Sequence, residues 1–559
     1  MKRLISGKSC NVRPQLFTNI NHMSLPSTFP YKKLLVLTLW LATWTLVNSD
    51  FLLIPLWPSI LGLLSVLLLR KVIAGLLIGG SAGAILLNDG NPVKAFVAIF
   101  TDHLIPALQS GWNISVLIFT LLLGGFVALI EKGGGIQALL NRWVRASGSI
   151  KKRIQWSGFA LGIVCFFDGL ANSLLVGKTL SPLARKAGVS KEKLSYIVDS
   201  TSASVACIAV ISTWIAYQLS MIREGYKQFG IEEVNAFALF FQSIPLNFYC
   251  WFTLALLAAV IANNWNIGPM RKAEIRRVDN NSILDPNPET YDQSTDGAWR
   301  AILPLLVLIS GLMIGLYVDG AEGGLLPFSF GKLAAAFGAA DAAKILVTVS
   351  AFACLVAFLS NLSQFKEESA SDIFMGGVLN LFTPCLILIS VWILSSTLSQ
   401  LEAAPVLTGL LKGNLPPMFF PAAVFVTGTL ISFTTGTSWG TMGVLMPLAI
   451  PVALAMGGVE AGDSLVPITI AAVFSGAVFG DHCSPLSDTT IVSSIACDLD
   501  PLEHVQTQIP YALLAAGLAV LVGFIPAGLG FPGWISLLLG AAILISLPRI
   551  FKNPPTTQT

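Results

Sequence analysis

Four aspartates, Asp168, Asp199, Asp481 and Asp488, stand inside long apolar stretches of this 559-residue chain. An aspartate at membrane depth costs several kcal/mol, so each is a candidate for function before it is a candidate for packing. A carboxylate is a hard oxygen ligand that suits a small, non-polarisable cation such as Na⁺, and it also takes a proton, so the two ligands compete for one group. The surrounding residues extend that chemistry. Asp168 sits in Phe166-Phe167-Asp168-Gly169-Leu170-Ala171-Asn172-Ser173, and Asp199 opens the hydroxyl run Asp199-Ser200-Thr201-Ser202-Ala203-Ser204. Further on come Thr434-Thr435-Gly436-Thr437-Ser438-Trp439-Gly440-Thr441 and Gly480-Asp481-His482-Cys483-Ser484-Pro485-Leu486-Ser487-Asp488-Thr489. Ser and Thr compete with the backbone for hydrogen bonds, and Gly480 and Pro485 interrupt a helix, so these strings predict helices that unwind and free carbonyls for a cation.

The candidate ligands are therefore the four carboxylates, with Asn172, Ser173, Ser200, Thr201, Thr435, Gly436, Thr437, Ser438, Ser484, Ser487 and Thr489 in support. Plainer readings stand beside this one. Asp199 could be a helix-packing residue bonded to a neighbouring serine, and the Gly-Thr-Ser stretch could serve close helix packing through small residues. His482 and Cys483 are adjacent on one helix, point apart, and lack a second pair, so no resident metal is expected. Lys178 either neutralises a carboxylate or snorkels to the membrane face, and Glu131, beside Lys132, reads as interfacial. No P-loop with its Lys and Ser/Thr is present, and Gly133-Gly134-Gly135 follows no strand, so neither ATP nor another cofactor is implied.

Composition explains how these residues are positioned. Hydrophobic residues make up 54% and charged residues 11%, with a mean hydropathy of +0.75, which excludes a water-soluble fold. A net charge of +3 gives no general basic field for nucleic acid. The eight cysteines lie far apart without a C-x-x-C pair, so no disulfide framework or zinc site is indicated. Apolar segments long enough to cross a bilayer fall at about 34–50, 52–69, 72–87, 113–131, 194–221, 236–262, 299–318, 341–360, 373–396, 466–497, 508–527 and 531–547. Residues 154–184 have basic residues at both ends and are too short for two crossings, which predicts a re-entrant hairpin turning near Asp168 to Ser173. Residues 417–449 read as its counterpart from the other side. With both termini cytoplasmic, 26 of the 33 Lys and Arg fall on inner segments, 6 on outer segments and Lys178 in a hairpin.

The expected organisation is an all-α polytopic membrane protein of about 12 transmembrane helices and two re-entrant hairpins. A basic tail (1–33) and scaffold helices (34–71) precede a first repeat (72–262). A polar linker (263–298), a connecting helix and outer loop (299–340), a second repeat (341–527) and a last helix and tail (528–559) follow. Spans and hairpin of the first unit match those of the second at offsets near 265, and Ser181-Pro182-Leu183-Ala184 aligns with Met446-Pro447-Leu448-Ala449. The two units begin on opposite sides, and inverted repeats with interrupted helices are a signature of secondary transporters.

Phe167-Asp168 through Gly177, Lys193-Leu194-Ser195-Tyr196-Ile197-Val198-Asp199-Ser200-Thr201 and Ile211-Ser212-Thr213-Trp214 resemble the first-half motifs of the NhaC-type Na⁺/H⁺ antiporter family. Thr435 to Thr441 and Gly480 to Thr489 resemble its second-half motifs. The resemblance spans about residues 70 to 530. It implies membership of the ion transporter superfamily, hairpins that meet at the substrate, an elevator-type motion and a possible homodimer. Members often carry two adjacent Asp where this chain has Asp168-Gly169, and a Pro where it has Ser204. The expected function is Na⁺/H⁺ antiport across the bacterial cell membrane. The alternative is Na⁺-coupled carriage of a small organic solute, a carboxylate or an amino acid. An enzyme is not expected, because no nucleophile-base set is recognisable.

Overall fold

The computed structural model describes residues 30–551 apart from 48, 50, 137, 139–149, 280–296, 322–323, 327–328, 366–368, 412–413 and 458–464. Most of the N-terminal tail, and residues 280–296 of the polar linker, thus lie outside the described residues. Among the described residues all regular structure is helical. Ten helices are long and apolar enough to cross a membrane, or eleven if the pair Val72–Leu87 and Pro92–Gln109, bent by 119°, counts as one span. The expected segments at 34–50, 52–69 and 194–221 are filled by shorter or interrupted helices, while each arm of the second hairpin is long enough to be counted among the ten.

The elements that position the site are, in order, α1 (Trp57–Leu69), α2 (Val72–Leu87), α3 (Gly111–Lys132), α4 (Ile150–Val164), α5 (Gly169–Lys186), α6 (Lys191–Ile208), α7 (Ile215–Lys227) and α8 (Phe248–Asn263). After the linker come α9 (Trp299–Gly320), α10 (Ala342–Asn361), α11 (Ala370–Asn380), α12 (Phe382–Gln400), α13 (Phe420–Thr435), α14 (Ser438–Gly457), α15 (Leu465–Cys483), α16 (Asp488–Ala496), α17 (Pro501–Leu518) and α18 (Gly533–Ile550). Helices α4 and α5 form the first hairpin and pack on α6. Helices α13 and α14 form the second and pack on α15.

Contacts between the two halves are reciprocal. Helix α2 packs on α12, while α10 packs on α3; helix α7 packs on the second arm of hairpin two, while α16 packs on the second arm of hairpin one. Where helices come closest the residues are glycine, since apolar helices in lipid gain little from hydrophobicity and associate through close backbone contact. At the crossing of α1 and α2, a Cβ on Gly79 would lie 2.6 Å from the Pro58 carbonyl oxygen. At the crossing of α3 and α11, a Cβ on Gly124 would lie 2.5 Å from the carbonyl oxygen of Gly377, and one on Gly377 would strike Gly124 in return.

The α15 helix is the centre of the molecule, with every residue of Val466 to Cys483 buried. Such a helix cannot be recognised by an amphipathic pattern, because it has no outward face. The close approach of α3 and α11 makes a direct test of the packing. Gly124→Leu forces the backbones apart, and overpacking of this kind costs about 1–3 kcal/mol. The variant should unfold at a lower temperature in detergent than wild type, and an unchanged melting temperature would show that this crossing is loose.

Candidate cation and substrate site

The first hairpin tip is made by Asp168 itself. Its backbone is extended, at φ −155° and ψ 129°, and its side chain caps α5, with Oδ1 accepting from the Ala171 N–H at 2.6 Å. The other oxygen accepts from the Thr213 hydroxyl at 2.8 Å, while the Thr213 N–H donates to the Phe167 carbonyl at 2.8 Å. Thr213 lies in the break between α6 and α7, so this break holds tip one in place. A Cβ at Gly169 would meet only Ser202, nearest its Oγ at 3.4 Å, so space does not demand glycine there.

The second tip turns at Gly436, whose φ of +69° lies in the left-handed region that glycine enters at least cost. A Cβ there would also lie 2.6 Å from that of Leu486, so tip two rests directly on the break between α15 and α16. Thr437 caps the next helix by accepting from the Gly440 N–H at 3.2 Å. Ser484 donates to the Phe433 carbonyl at 2.7 Å, and Ser432 donates to the Gly476 carbonyl at 2.6 Å while accepting from the Gly480 N–H at 3.0 Å. Thr435 is turned back on its own helix, donating to the Ile431 carbonyl at 2.7 Å.

Asp481 closes α15 and Asp488 opens α16, on either side of the second break. Ser487 donates to Asp481 Oδ1 at 3.2 Å, and the hydroxyls of Thr489 and Thr490 donate to the Asp481 carbonyl at 2.9 and 2.6 Å. Between the two tips and the second break lies a cavity of about 330 Å³. Asp168, Asp481, Asp488, Thr489 and the tip residues Gly436, Thr437 and Ser438 line it. The remaining wall includes Thr213, Trp214 and Trp439, none of which stands among the candidate ligands that the sequence suggests. Asp481 is buried and Asp488 is exposed, so the carboxylates run from the interior to open space.

The other predicted residues do not line this cavity. Asn172 donates to the carbonyls of Gly162 and Thr201 at 2.8 and 3.1 Å, and Ser173 donates to Ser202, which in turn donates to the Gly169 carbonyl at 2.7 Å. Thr201 bonds within its own helix, to Ile197 and Val198. These groups tie hairpin one to α6. Ser204 is buried with an unpartnered hydroxyl.

Asp199 belongs to a second, closed network. Its Oδ2 lies 3.1 Å from His504 Nε2, accepts from Gln508 Nε2 at 2.7 Å, and is 3.4 Å from the Thr490 hydroxyl. Asp199 and His504 are both fully buried. Gln508 also donates to the His482 carbonyl, and the His482 ring joins Ser200 at 2.8 Å to Tyr249 at 2.7 Å. His482 is therefore a link between α6, α8 and α15. His504 and Gln508 are absent from the sequence-derived candidates, although their spacing of four places them on one face of α17, whose first turns also carry Glu503, Gln506 and Thr507. An aspartate without water needs such a set of donors, and removing one partner of a buried pair leaves the other uncompensated at about 3–5 kcal/mol. His504→Leu should accordingly destabilise the protein strongly. Adding Asp199→Asn should restore part of the loss, and strictly additive losses in thermal unfolding would show that the two residues do not act as a pair.

The comparisons with known proteins agree with this architecture. Residues 205–529 match the model of the Na⁺/H⁺ antiporter family. An uncharacterized protein of Haemophilus influenzae is 29% identical over 497 residues, covering 87% of this chain and 93% of that one. The malate-2H(+)/Na(+)-lactate antiporter of Bacillus subtilis is 34% identical over 169 residues, 29% of this chain and 35% of its own length. Among solved structures, the YdaH transporter of Alcanivorax borkumensis superposes with a TM-score of 0.53 at 15% identity, over 89% of this chain and 99% of its own. That likeness is one of fold. The family match covers the second hairpin tip, the break at 484–487 and the helix carrying His504 and Gln508, and this chain is a member of the Na⁺/H⁺ antiporter family.

Proposed function

We propose that the protein is a Na⁺/H⁺ antiporter that exchanges the two ions at the cavity carboxylates, with Asp199 in the closed network behind them. One observation carries this reading. Asp168 from the first half and Asp481 and Asp488 from the second meet in one cavity, each at the interruption of a helix. Three carboxylates in one cavity repel each other, and the repulsion is relieved by taking up cations, either Na⁺ or H⁺. Hydroxyls of Thr437, Ser438 and Thr489, which line the cavity, add neutral oxygens suited to Na⁺. Binding one ion lowers the affinity for the other, which is the coupling an exchanger needs.

The reading extends to the architecture. The reciprocal packing of α2 with α12 and α10 with α3, and of each half's post-break helix with the other half's hairpin, supports two inverted repeats. In this picture the tips and breaks move as one unit against α2, α3, α10 and α12. The protein sits in the cell membrane with both termini cytoplasmic, and a homodimer is consistent with this class of carrier. A second reading, carriage of a small organic solute, is favoured by the size of the cavity and by a relative whose name includes malate and lactate.

Reconstitution in proteoliposomes separates these readings. Addition of Na⁺ to acid-loaded vesicles should release internal H⁺, and no release at any pH, together with Na⁺-driven uptake of a labelled solute, would replace the antiporter by the second reading. Asp168→Asn, Asp481→Asn and Asp488→Asn should each abolish exchange while the purified protein keeps its fold by circular dichroism. Full activity in all three would move the site elsewhere.

A further inference from the structure

We propose that the cavity also takes a small organic cation, an ammonium group on an apolar body. This rests on the reading of the cavity as the transport site and names a substrate class for it. A bare Na⁺ replaces roughly one water, which occupies about 30 Å³ of liquid. The cavity holds about 330 Å³, within the range of small-molecule sites. Its volume is thus an order of magnitude more than the ion requires.

The chemistry of the walls fixes the sign of the guest. Asp168, Asp481 and Asp488 line the cavity, and among the described residues no Lys, Arg or His does. An organic carboxylate would face three like charges with no cationic side chain to receive it. Two indoles complete the lining. Trp214 and Trp439 stand edge to face, with ring centroids 6.5 Å apart, and Tyr217 fixes the second by donating to its backbone carbonyl while its own ring packs 4.3 Å away. Aromatic walls attract an ammonium group through the ring quadrupole. Leu381, Pro384 and Ile387, from the junction of α11 and α12, supply an apolar side. A passage for a hydrated ion gains nothing from such a wall, whereas an alkyl group leaving water does.

The full chain in proteoliposomes provides the test, with tetramethylammonium and choline as probes, because neither carries a titratable proton or crosses lipid as a free base. Each should raise the apparent KM for Na⁺ in Na⁺-driven H⁺ release without changing the maximal rate. The uncharged isostere 3,3-dimethyl-1-butanol and the anion lactate should have no effect. Trp439→Leu, or Trp214→Leu if the first does not fold, should weaken choline inhibition by about 5- to 30-fold. If Na⁺/H⁺ exchange runs and both ammonium ions leave KM unchanged, or lactate competes instead, the inference falls and the antiporter reading stands. If Na⁺ drives no H⁺ movement, choline-driven H⁺ movement with a choline-dependent rise in melting temperature would keep the inference and remove the antiporter reading. Absence of both choline effects would remove the inference too.

Discussion

A carboxylate taken out of water must be given hydrogen-bond donors or a cation, and much of this fold is arranged around four such groups. Each is provided for differently. Asp168 has one oxygen on a helix N-terminus and the other on Thr213. Asp199 is enclosed with His504 and Gln508, far from open space. Asp481 and Asp488 are left with a few hydroxyl donors and a cavity. The difference is one of access: Asp168, Asp481 and Asp488 face the cavity, whereas Asp199, with one buried oxygen left unpartnered, is sealed away from it.

The same constraint explains why the helices break where they do. An unbroken helix bonds its carbonyls to its own N–H groups and presents only side chains. At 209–214 and 484–487 the chain leaves helical geometry, and the gaps are closed by hydroxyls: Thr213 on Asp168, Ser484 on Phe433, Thr489 and Thr490 on the Asp481 carbonyl. Irregular backbone at this depth is tolerated because it is buried in protein or lines a cavity. Ser and Thr are the residues that can satisfy backbone groups locally at such places, and the hydroxyl strings at the second tip and at 484–489 coincide with breaks, whereas the run at 199–204, expected to unwind, stays helical within α6 and the break follows it at 209–214.

Much of this is legible in the amino-acid sequence. Scarce charge makes the four aspartates conspicuous, and the hydroxyl strings mark both tips and the second break. Grouping Asp199, Asn172, Ser173, Ser200 and Thr201 with the cavity extrapolates from proximity along the chain. In the fold, α5 turns Asn172 and Ser173 onto α6, and α6 turns Asp199 toward α17 and Ser200 toward His482, because a helix points successive side chains in different directions. His504 and Gln508 escape notice because they stand among Glu503, Gln506 and Thr507 in the polar first turns of a helix and carry no motif, and their partner is 305 and 309 residues away. Trp214 and Trp439 lie within recognisable motifs, yet an aromatic residue reads the same in sequence whether it fills a core or walls a cavity. The whole-buried α15 shows the converse limit, since its apolar pattern is uniform on all sides.

Rigidity is distributed in the way an exchanger would require. The crossings of α1 with α2 and of α3 with α11 are backbone against backbone, closed by glycines that leave no slack for adjustment. Interiors packed this tightly move as units or not at all. Tip two is likewise closed against Leu486 at Gly436, whereas Asp168 at tip one and Ser484 and Ser487 at the second break are held by individual hydrogen bonds, each with a net worth of about 1 kcal/mol. Exchanging a few of these for bonds to a bound ion is close to neutral in energy, whereas separating two glycine-lined helices is not. Local rearrangement is thus least costly at Asp168, Thr213, Ser484 and Ser487, and on the proposed reading the paired helices around them supply the frame against which such a change is felt.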